Sequence, residues 1–407
     1  MNNHKEETTA GDCCADGHDA PALKLEDALA RILAEVKPVT GVETIPVRAA
    51  LGRVLAEDVV SPIDVPAHTN SAMDGYALRG VDLQADAETR LDVIGVAAAG
   101  RPFDGAVGAG QCVRILTGAP VPEGADTVVM QERVTREDDA AIIAVGQKPG
   151  QHVRQAGEDI ARGAVALAAG AVLLPAALGM LASVGVGEVN VRRRARVAFF
   201  STGDELRRVG EPLGAGQIYD SNGYTIHGML TRAGVEIVDM GLVRDDPADI
   251  ENAFADAAAR ADAIVTSGGV SVGDADYVKD TLDKTGSVGF WRVAMKPGRP
   301  LAFGRVGDAL FFGLPGNPVS AMVTYYQLVQ PALRALAGLP DAGPPLTVTA
   351  VSSEGLRKKT GRREFQRGVL TRDADGRLVV SRAGHQGSGV LSSMNAANCF
   401  IVLPEDA

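Results

Sequence analysis

The sequence predicts a multidomain α/β-plus-β protein: a three-layer α/β domain with a mainly parallel sheet, a β-rich N-terminal region and a small C-terminal β domain. Three observations carry this. From about residue 191 the apolar runs "RVAFF", "EIVDMGLV" and "DAIVTSGGV" alternate with helical stretches, the pattern of a parallel sheet covered on both faces. From Pro62 to about Gly150 the apolar runs are short and punctuated by Gly and Pro, which reads as β. After "GLPDAGPP" the runs "LTVTAV", "EFQRGVL" and "RLVVSRA" alternate, with "DADG" as the hairpin turn between the last two.

Residues 1–20 are polar and lack an apolar period, so a disordered tail is expected there. The stripe Leu25, Leu29, Ile32, Leu33 and Val36 predicts an amphipathic helix ended by Pro38. The uncharged stretch Ala164–Gly187 is rich in Ala and Gly and broken by Pro175. It reads as a short strand and then a helix with Pro175 in its first turn, not a membrane span. "SNGYTIHGMLTRAG", "PADIENAFADAAARA" and "ADYVKDTLDK" are the helices of the α/β unit. In the long helix after "GLPGNP", Asn317 is the expected N-cap with Pro318 at the first position. Its expected stripe is Met322, Tyr326, Val329, Leu333 and Leu336, with a kink at Pro331.

The 407 residues are 46% hydrophobic and 22% charged, an ordinary globular balance, and length alone predicts about two to four domains. A net charge of −11 argues against general nucleic-acid or membrane-surface binding. Cys13, Cys14, Cys112 and Cys399 form neither a disulfide ladder nor a CxxC pair, and no signal peptide is evident. A reduced, cytoplasmic protein is expected.

The stretch "TSGGVSVGDADYVKD" joins a strand to a helix through small residues. Such loops present backbone N–H groups to an anion, aided by the helix dipole. The glycines, Gly268, Gly269 and Gly273, fit neither GxGxxG nor a Walker A loop. Two further strand-end loops, "FSTGDEL" and "GLPGNP", are expected to share the same crevice at the carboxyl edge of the sheet. "MKPGRP" adds Lys296 and Arg299 as phosphate partners. The acid pairs Asp204/Glu205, Asp245/Asp246 and Asp274/Asp276 also sit at strand ends. Two like charges about 4 Å apart repel by about 4 kcal/mol at an effective dielectric near 20. Carboxylates gathered beside phosphates therefore call for a divalent cation, and Mg²⁺ suits.

Nine blocks, from "NSAMDGYALR" and "RILTGAPVPEGADTVVMQE" to "KPGRPLAFG", "GLPGNPVSA" and "GHQGSGVLSSM", resemble the molybdopterin molybdenumtransferase family, also represented by the C-terminal domain of gephyrin. The resemblance runs from about residue 21 to 407. It implies conversion of adenylylated molybdopterin and molybdate, with a divalent cation, to the molybdenum-loaded pterin and AMP. It also implies a homodimer, with molybdopterin adenylyltransferase and recipient molybdoenzymes as partner proteins. The domains expected are 21–61 with 150–190, an inserted β-rich domain at 62–149, a molybdopterin-binding α/β domain at 191–339, and a barrel-like β domain at 340–407.

Family positions match Asp74, Thr117, Asp159, Glu205, Asp245, Asp276, Lys296, Arg367 and Ser388 in this sequence. The cation would fall to Glu205, Asp245 and Asp276. Substrate contacts would come from Thr117, Ser267, Gly268, Gly269, Gly273, Lys296, Arg299, Arg292, Pro315, Gly316, Arg367 and Ser388. The family often carries Lys where this chain has Arg292 and Arg299, which keeps the charge but exchanges a compact ammonium for a planar guanidinium. His385 reads as a loop hydrogen-bonder. Two alternatives stand beside the enzyme: a non-catalytic pterin-binding scaffold, and the adenylylation step, which the long N-terminal region disfavours.

Overall fold

The structure is a computed structural model and describes residues 22–268, 282 and 286–406. Gly269, Gly273, Asp274, Asp276 and most of the expected helix "ADYVKDTLDK" lie outside the described residues. The chain divides into two compact units, Thr44–Val191 and the remainder.

In Thr44–Val191 a six-stranded sheet runs in the order Thr127–Met130, Gly75–Leu78, Gln111–Ile115, Thr89–Ala97, Ala140–Ile143, Val134–Glu137. Only Thr89–Ala97 and Gln111–Ile115 pair in parallel. Alternation sends Tyr76 and Leu78 to one apolar cluster and Ala77 to another, so both faces are buried. A third cluster joins the two ends of this unit, Val47, Ala50 and Leu55 meeting Leu173, Leu181 and Val191. It includes the helix Pro175–Ser183, which has its proline in the first turn as expected. Among the described residues no helix is long and apolar enough to cross a membrane.

The other unit is built on helix α1 (Leu25–Glu35), strand β1 (Arg196–Thr202), α2 (Ser221–Ala233), β2 (Glu236–Val243), α3 (Pro247–Arg260) and β3 (Ala263–Ser267). It continues with β4 (Gly286–Arg292), β5 (Pro300–Val306), β6 (Ala309–Leu314), α4 (Pro318–Thr324) and α5 (Gln330–Leu336). The sheet order is β2-β1-β3-β6-β5-β4. The first four strands are parallel; β5 and β4 extend the edge antiparallel. The expected parallel sheet therefore holds for four strands. Only two residues, Gly307 and Asp308, separate β5 from β6, enough for a hairpin and too few for a crossover.

Strand alternation builds the three layers. Val197, Phe199, Val265, Phe312 and Leu314 face one core with α1, α2, α4 and α5. Ala198, Phe200, Ile264 and Phe311 face the other with α3. The stripe of α1 (Leu25, Leu29, Ile32) is part of the first core, so this helix packs with the α/β unit and not with residues 150–190. Near the kink expected at Pro331 the long helix is interrupted by a π turn at Tyr325–Val329, with Pro331 in the first turn of the α-helical segment that follows.

The C-terminal sheet centres on the strand Arg363–Arg372, which pairs antiparallel with Leu378–Arg382 and Cys399–Leu403. Asp373 closes the expected "DADG" hairpin by accepting from the N–H groups of Asp375 and Arg377. Met295–Lys296 adds in parallel beside Arg363–Glu364 and ties this sheet to the α/β unit. Of "LTVTAV", only Val351 enters a strand; Leu346 is 99% exposed and has no strand partner among the described residues.

Candidate functional site

Connections from β1 leave toward β2 on one side and from β2 return to β3 on the other. The carboxyl ends of β1 and β3 therefore flank the switch point at which open α/β sheets bind ligands. Gly268, just past β3, has φ +91°, and a Cβ there would collide with the Thr202 carbonyl oxygen at the end of β1. Glycine is required by that close approach. Its own N–H donates to Leu314 O at 3.3 Å, so this group is engaged in the sheet and not aimed at an anion as expected.

Acids gather at the β1 and β2 ends. The pair Asp245/Asp246 separates into two roles. Asp246 caps α3, accepting from the N–H groups of Ala248 and Asp249 at 2.9 and 3.2 Å. Asp245 accepts from Thr202 Oγ1 at 3.3 Å. Burial pushes the Asp245 carboxyl up, the charges of Asp204 and Glu205 push the same way, and the threonine hydroxyl opposes them. Among the described residues no three His, Cys, Asp or Glu side chains gather closely enough to hold a metal. The third expected cation ligand, Asp276, lies outside the described residues.

Asn222, which sequence reasoning did not single out, links this end to the rest of the crevice. It sits in the first turn of α2, which Asp220 caps through Gly223 N–H. Its Nδ2 donates to Ser267 Oγ at 2.7 Å and to Gly316 O at 2.8 Å. The loop "GLPGNP" is thereby fastened to the end of β3.

That loop is one wall of a cavity of ≈ 510 Å³. Pro315 and Asn317 face Lys296 and Arg299, and the C-terminal sheet contributes Arg362, Glu364, Arg367 and the loop residue Ser388. Five residues expected at the site (Lys296, Arg299, Pro315, Arg367 and Ser388) thus line one space. Lys296 Nζ donates to Glu364 Oε1 at 3.1 Å. Arg299 and Arg362 have no side-chain hydrogen bond or ion pair to a described residue, which leaves both guanidinium groups available to an anion.

Arg367 is 1% exposed and works mainly behind the wall. It donates through Nε to Ser393 Oγ at 3.1 Å and through Nη2 to the carbonyls of His385 and Gly387 at 3.2 and 3.1 Å. Burial lowers the pKa of the guanidinium, and Glu364 opposes that. Arg367 therefore shapes the loop that carries Ser388. The Ser388 carbonyl in turn accepts from Val319 N–H at 3.0 Å in the first turn of α4. Asn317 occupies the N-cap position, but its side chain makes no cap hydrogen bond. His385 Nδ1 accepts from Gly387 N–H at 3.1 Å, the loop bond expected of it.

One expected residue falls elsewhere. Arg292 lies at the end of the edge strand β4, where its carbonyl accepts from Leu23 N–H at 2.7 Å, and it is not part of the cavity wall. Arg362 was not anticipated, although a period-2 reading of "RREF" puts it on the face of Glu364. Arg363 between them is directed to Glu26 and Glu405.

In Thr44–Val191 the structure joins two expected residues: the Thr117 N–H and Oγ1 both donate to Asp74 Oδ1, at 2.7 and 2.6 Å. The hydroxyl bond first, and then the N–H, hold the Asp74 carboxyl below the usual range, with help from Arg114. The Asp159 side chain is exposed, and its N–H donates to Val65 O at 3.0 Å.

Residues 23–185 match the family described as MoeA N-terminal region (domain I and II), 198–335 a probable molybdopterin binding domain, and 349–407 the MoeA C-terminal region (domain IV). A Haemophilus influenzae protein named molybdopterin molybdenumtransferase is 46% identical over 385 residues, covering 94% of this chain and 95% of that one. This chain belongs to the MoeA family. A Nostoc protein of the same name is 38% identical, covering 89% of this chain and 85% of its own. The crystal structure of the molybdopterin biosynthesis moeA protein from Pyrococcus horikoshii OT3 superposes with a TM-score of 0.81 at 30% identity, covering 95% of this chain and 96% of that one. In MoeA terms, the cationic cavity takes one wall from the molybdopterin-binding domain and the other from domain IV.

Proposed function

We propose that this chain is a molybdopterin molybdenumtransferase. It takes molybdate and adenylylated molybdopterin, water or a molybdate oxygen breaks the phosphoanhydride, AMP leaves, and the pterin dithiolate carries molybdenum away. The observation that carries this reading is the ≈ 510 Å³ cavity with four cationic side chains beside the "GLPGNP" loop. Tetrahedral oxyanions need donors and not acids, and charge-assisted donors are the strong ones.

In this reading Lys296, Arg299, Arg362 and Ser388 bind the oxyanion or phosphate, and Arg367 holds the loop in place. Ser267, Gly268, Pro315 and Gly316 would contact the pterin nucleotide, a role the sequence also assigns to Gly269 and Gly273. Glu205 and Asp245, with Asp276, would hold a divalent cation such as Mg²⁺. The Asp245 carboxyl is pushed up first by burial and then by the charges of Asp204 and Glu205, a repulsion that a cation would relieve. When bound, the cation would supply charge neutralisation on phosphate oxygens. Asp74, Thr117 and Asp159 are assigned to the chemistry by family position. The proposal includes a cytoplasmic homodimer exchanging substrate and product with an adenylylating enzyme and with molybdoenzymes.

The test is to supply adenylylated molybdopterin, molybdate and Mg²⁺ and to measure AMP. Molybdate-dependent AMP release is expected. Binding of the pterin nucleotide without AMP release would leave a scaffold.

A further inference from the structure

The cavity wall holds one carboxylate among its cations, and a wall built only to attract anions would not need it. Glu364 is 7% exposed, and its Oε1 accepts from both Lys296 Nζ and Gln366 Nε2, each at 3.1 Å. Gln366 is itself buried and donates to Arg357 O at 3.2 Å, so the carboxylate is fixed from behind. Its charge also reaches Arg367. Glu364 therefore touches or influences two of the four cations while Arg299 and Arg362 stay open.

Resting on the reading of this cavity as an oxyanion site, we propose that Glu364 is its positioning and specificity-determining residue. It holds the Lys296 ammonium against the wall and leaves it donors for an incoming anion, since an ammonium has three. It also lowers the excess charge of the wall. Repulsion from a fixed carboxylate scales with the charge of the anion, so it acts about twice as strongly on a dianion as on a monoanion of the same shape. A wall of four bare cations would trap any multiply charged oxyanion. With Glu364 in place, molybdate is bound loosely enough to be passed to the dithiolate.

Glu364→Gln keeps the shape and the acceptor oxygen and removes the charge. Calorimetric titration at fixed ionic strength with molybdate, a dianion, and perrhenate, a tetrahedral monoanion, reads the effect. Thermal unfolding is recorded alongside, and Arg362→Ala serves as the control that the anion sits in this cavity. In Glu364→Gln, molybdate should bind about tenfold tighter and perrhenate about threefold tighter. Equal changes for the two anions, or weaker binding of both at an unchanged ratio, overturn the proposal and reduce Glu364 to a wall support. Glu364→Asp keeps the charge, and its molybdate-to-perrhenate ratio should stay within about twofold of the wild type. A ratio moved as far as in Glu364→Gln also overturns it. Failure of the wild type to bind either anion would remove the oxyanion reading itself, an outcome separate from the others.

Discussion

Asp74 and Asp245 each accept a hydrogen bond from a threonine hydroxyl, yet their carboxyl groups are driven in opposite directions. Asp74 is exposed, takes two short bonds from Thr117 with Arg114 nearby, and is held below the usual range. Asp245 is half-buried, takes one longer bond from Thr202, and is pushed up by burial and by Asp204 and Glu205. The donor type is the same, and the surroundings set the sign. An acid with its hydrogen bonds already satisfied serves as a fixed, charged contact. An acid crowded by like charges gains from a nearby cation, which is the ground for proposing different roles for the two.

The largest effect should come from breaking the crowded side. Asp245→Ala or Glu205→Ala is expected to lower kcat for AMP release by about a hundredfold or more, with pterin-nucleotide binding retained. Equilibrium binding of the nucleotide measured beside kcat checks the division between cation holders and phosphate holders, and equal loss of both would erase it. Next, Lys296→Ala or Arg362→Ala removes a charge-assisted contact of about 1.5–3 kcal/mol, so oxyanion binding should weaken about tenfold or more. Arg299→Lys should restore the compact charge often found in the family and retain binding within about threefold if the residue only clamps phosphate. A larger loss would mean that the guanidinium plane itself is used.

What could be read from the chain follows the range of the forces involved. The apolar runs "RVAFF" and "DAIVTSGGV" are local signals, and they predict buried strands whose side chains do divide between two cores. Capping is local too, but "VRDDP" shows its limit: two adjacent acids look alike until the chain turns, and then one caps α3 while the other meets Thr202. The sequence suggests an anion-binding role for Gly268, whereas the collision a Cβ would make with Thr202 O comes from a strand more than sixty residues earlier. Arg362 and Asn222 escaped for the same reason, since each gains its meaning from partners distant in sequence. The edge hairpin needed only the two residues between β5 and β6 to be counted.

On the satisfied side of the comparison, Thr117→Val removes the hydroxyl donor and leaves the N–H. The Asp74 carboxyl should then titrate closer to an ordinary aspartate, a shift readable by NMR of the side-chain carboxyl, with the fold unchanged. A carboxyl that stays equally low would assign its position to Thr117 N–H and Arg114 alone.

The smallest effect is on stability, and its sign separates the two acids. For Asp245 the folded-state pKa is raised above that of an ordinary aspartate, so its protonated form favours folding. That contribution is fully present below the unfolded pKa and is lost as pH rises through the folded one, leaving the ionised group a burden at neutral pH. Asp245→Asn should therefore raise Tm at pH 7 by about 1 °C, a modest figure because the group is only partly buried, and the gain should vanish near pH 3. Asp74→Asn should not stabilise at pH 7, because a lowered carboxyl contributes above its unfolded pKa and loses that contribution only as pH falls through the folded one. Paired thermal melts of the two Asn variants at pH 3 and pH 7 measure this directly. A gain for Asp245→Asn that is as large at pH 3 as at pH 7 would trace the effect to packing and not to the crowded charge.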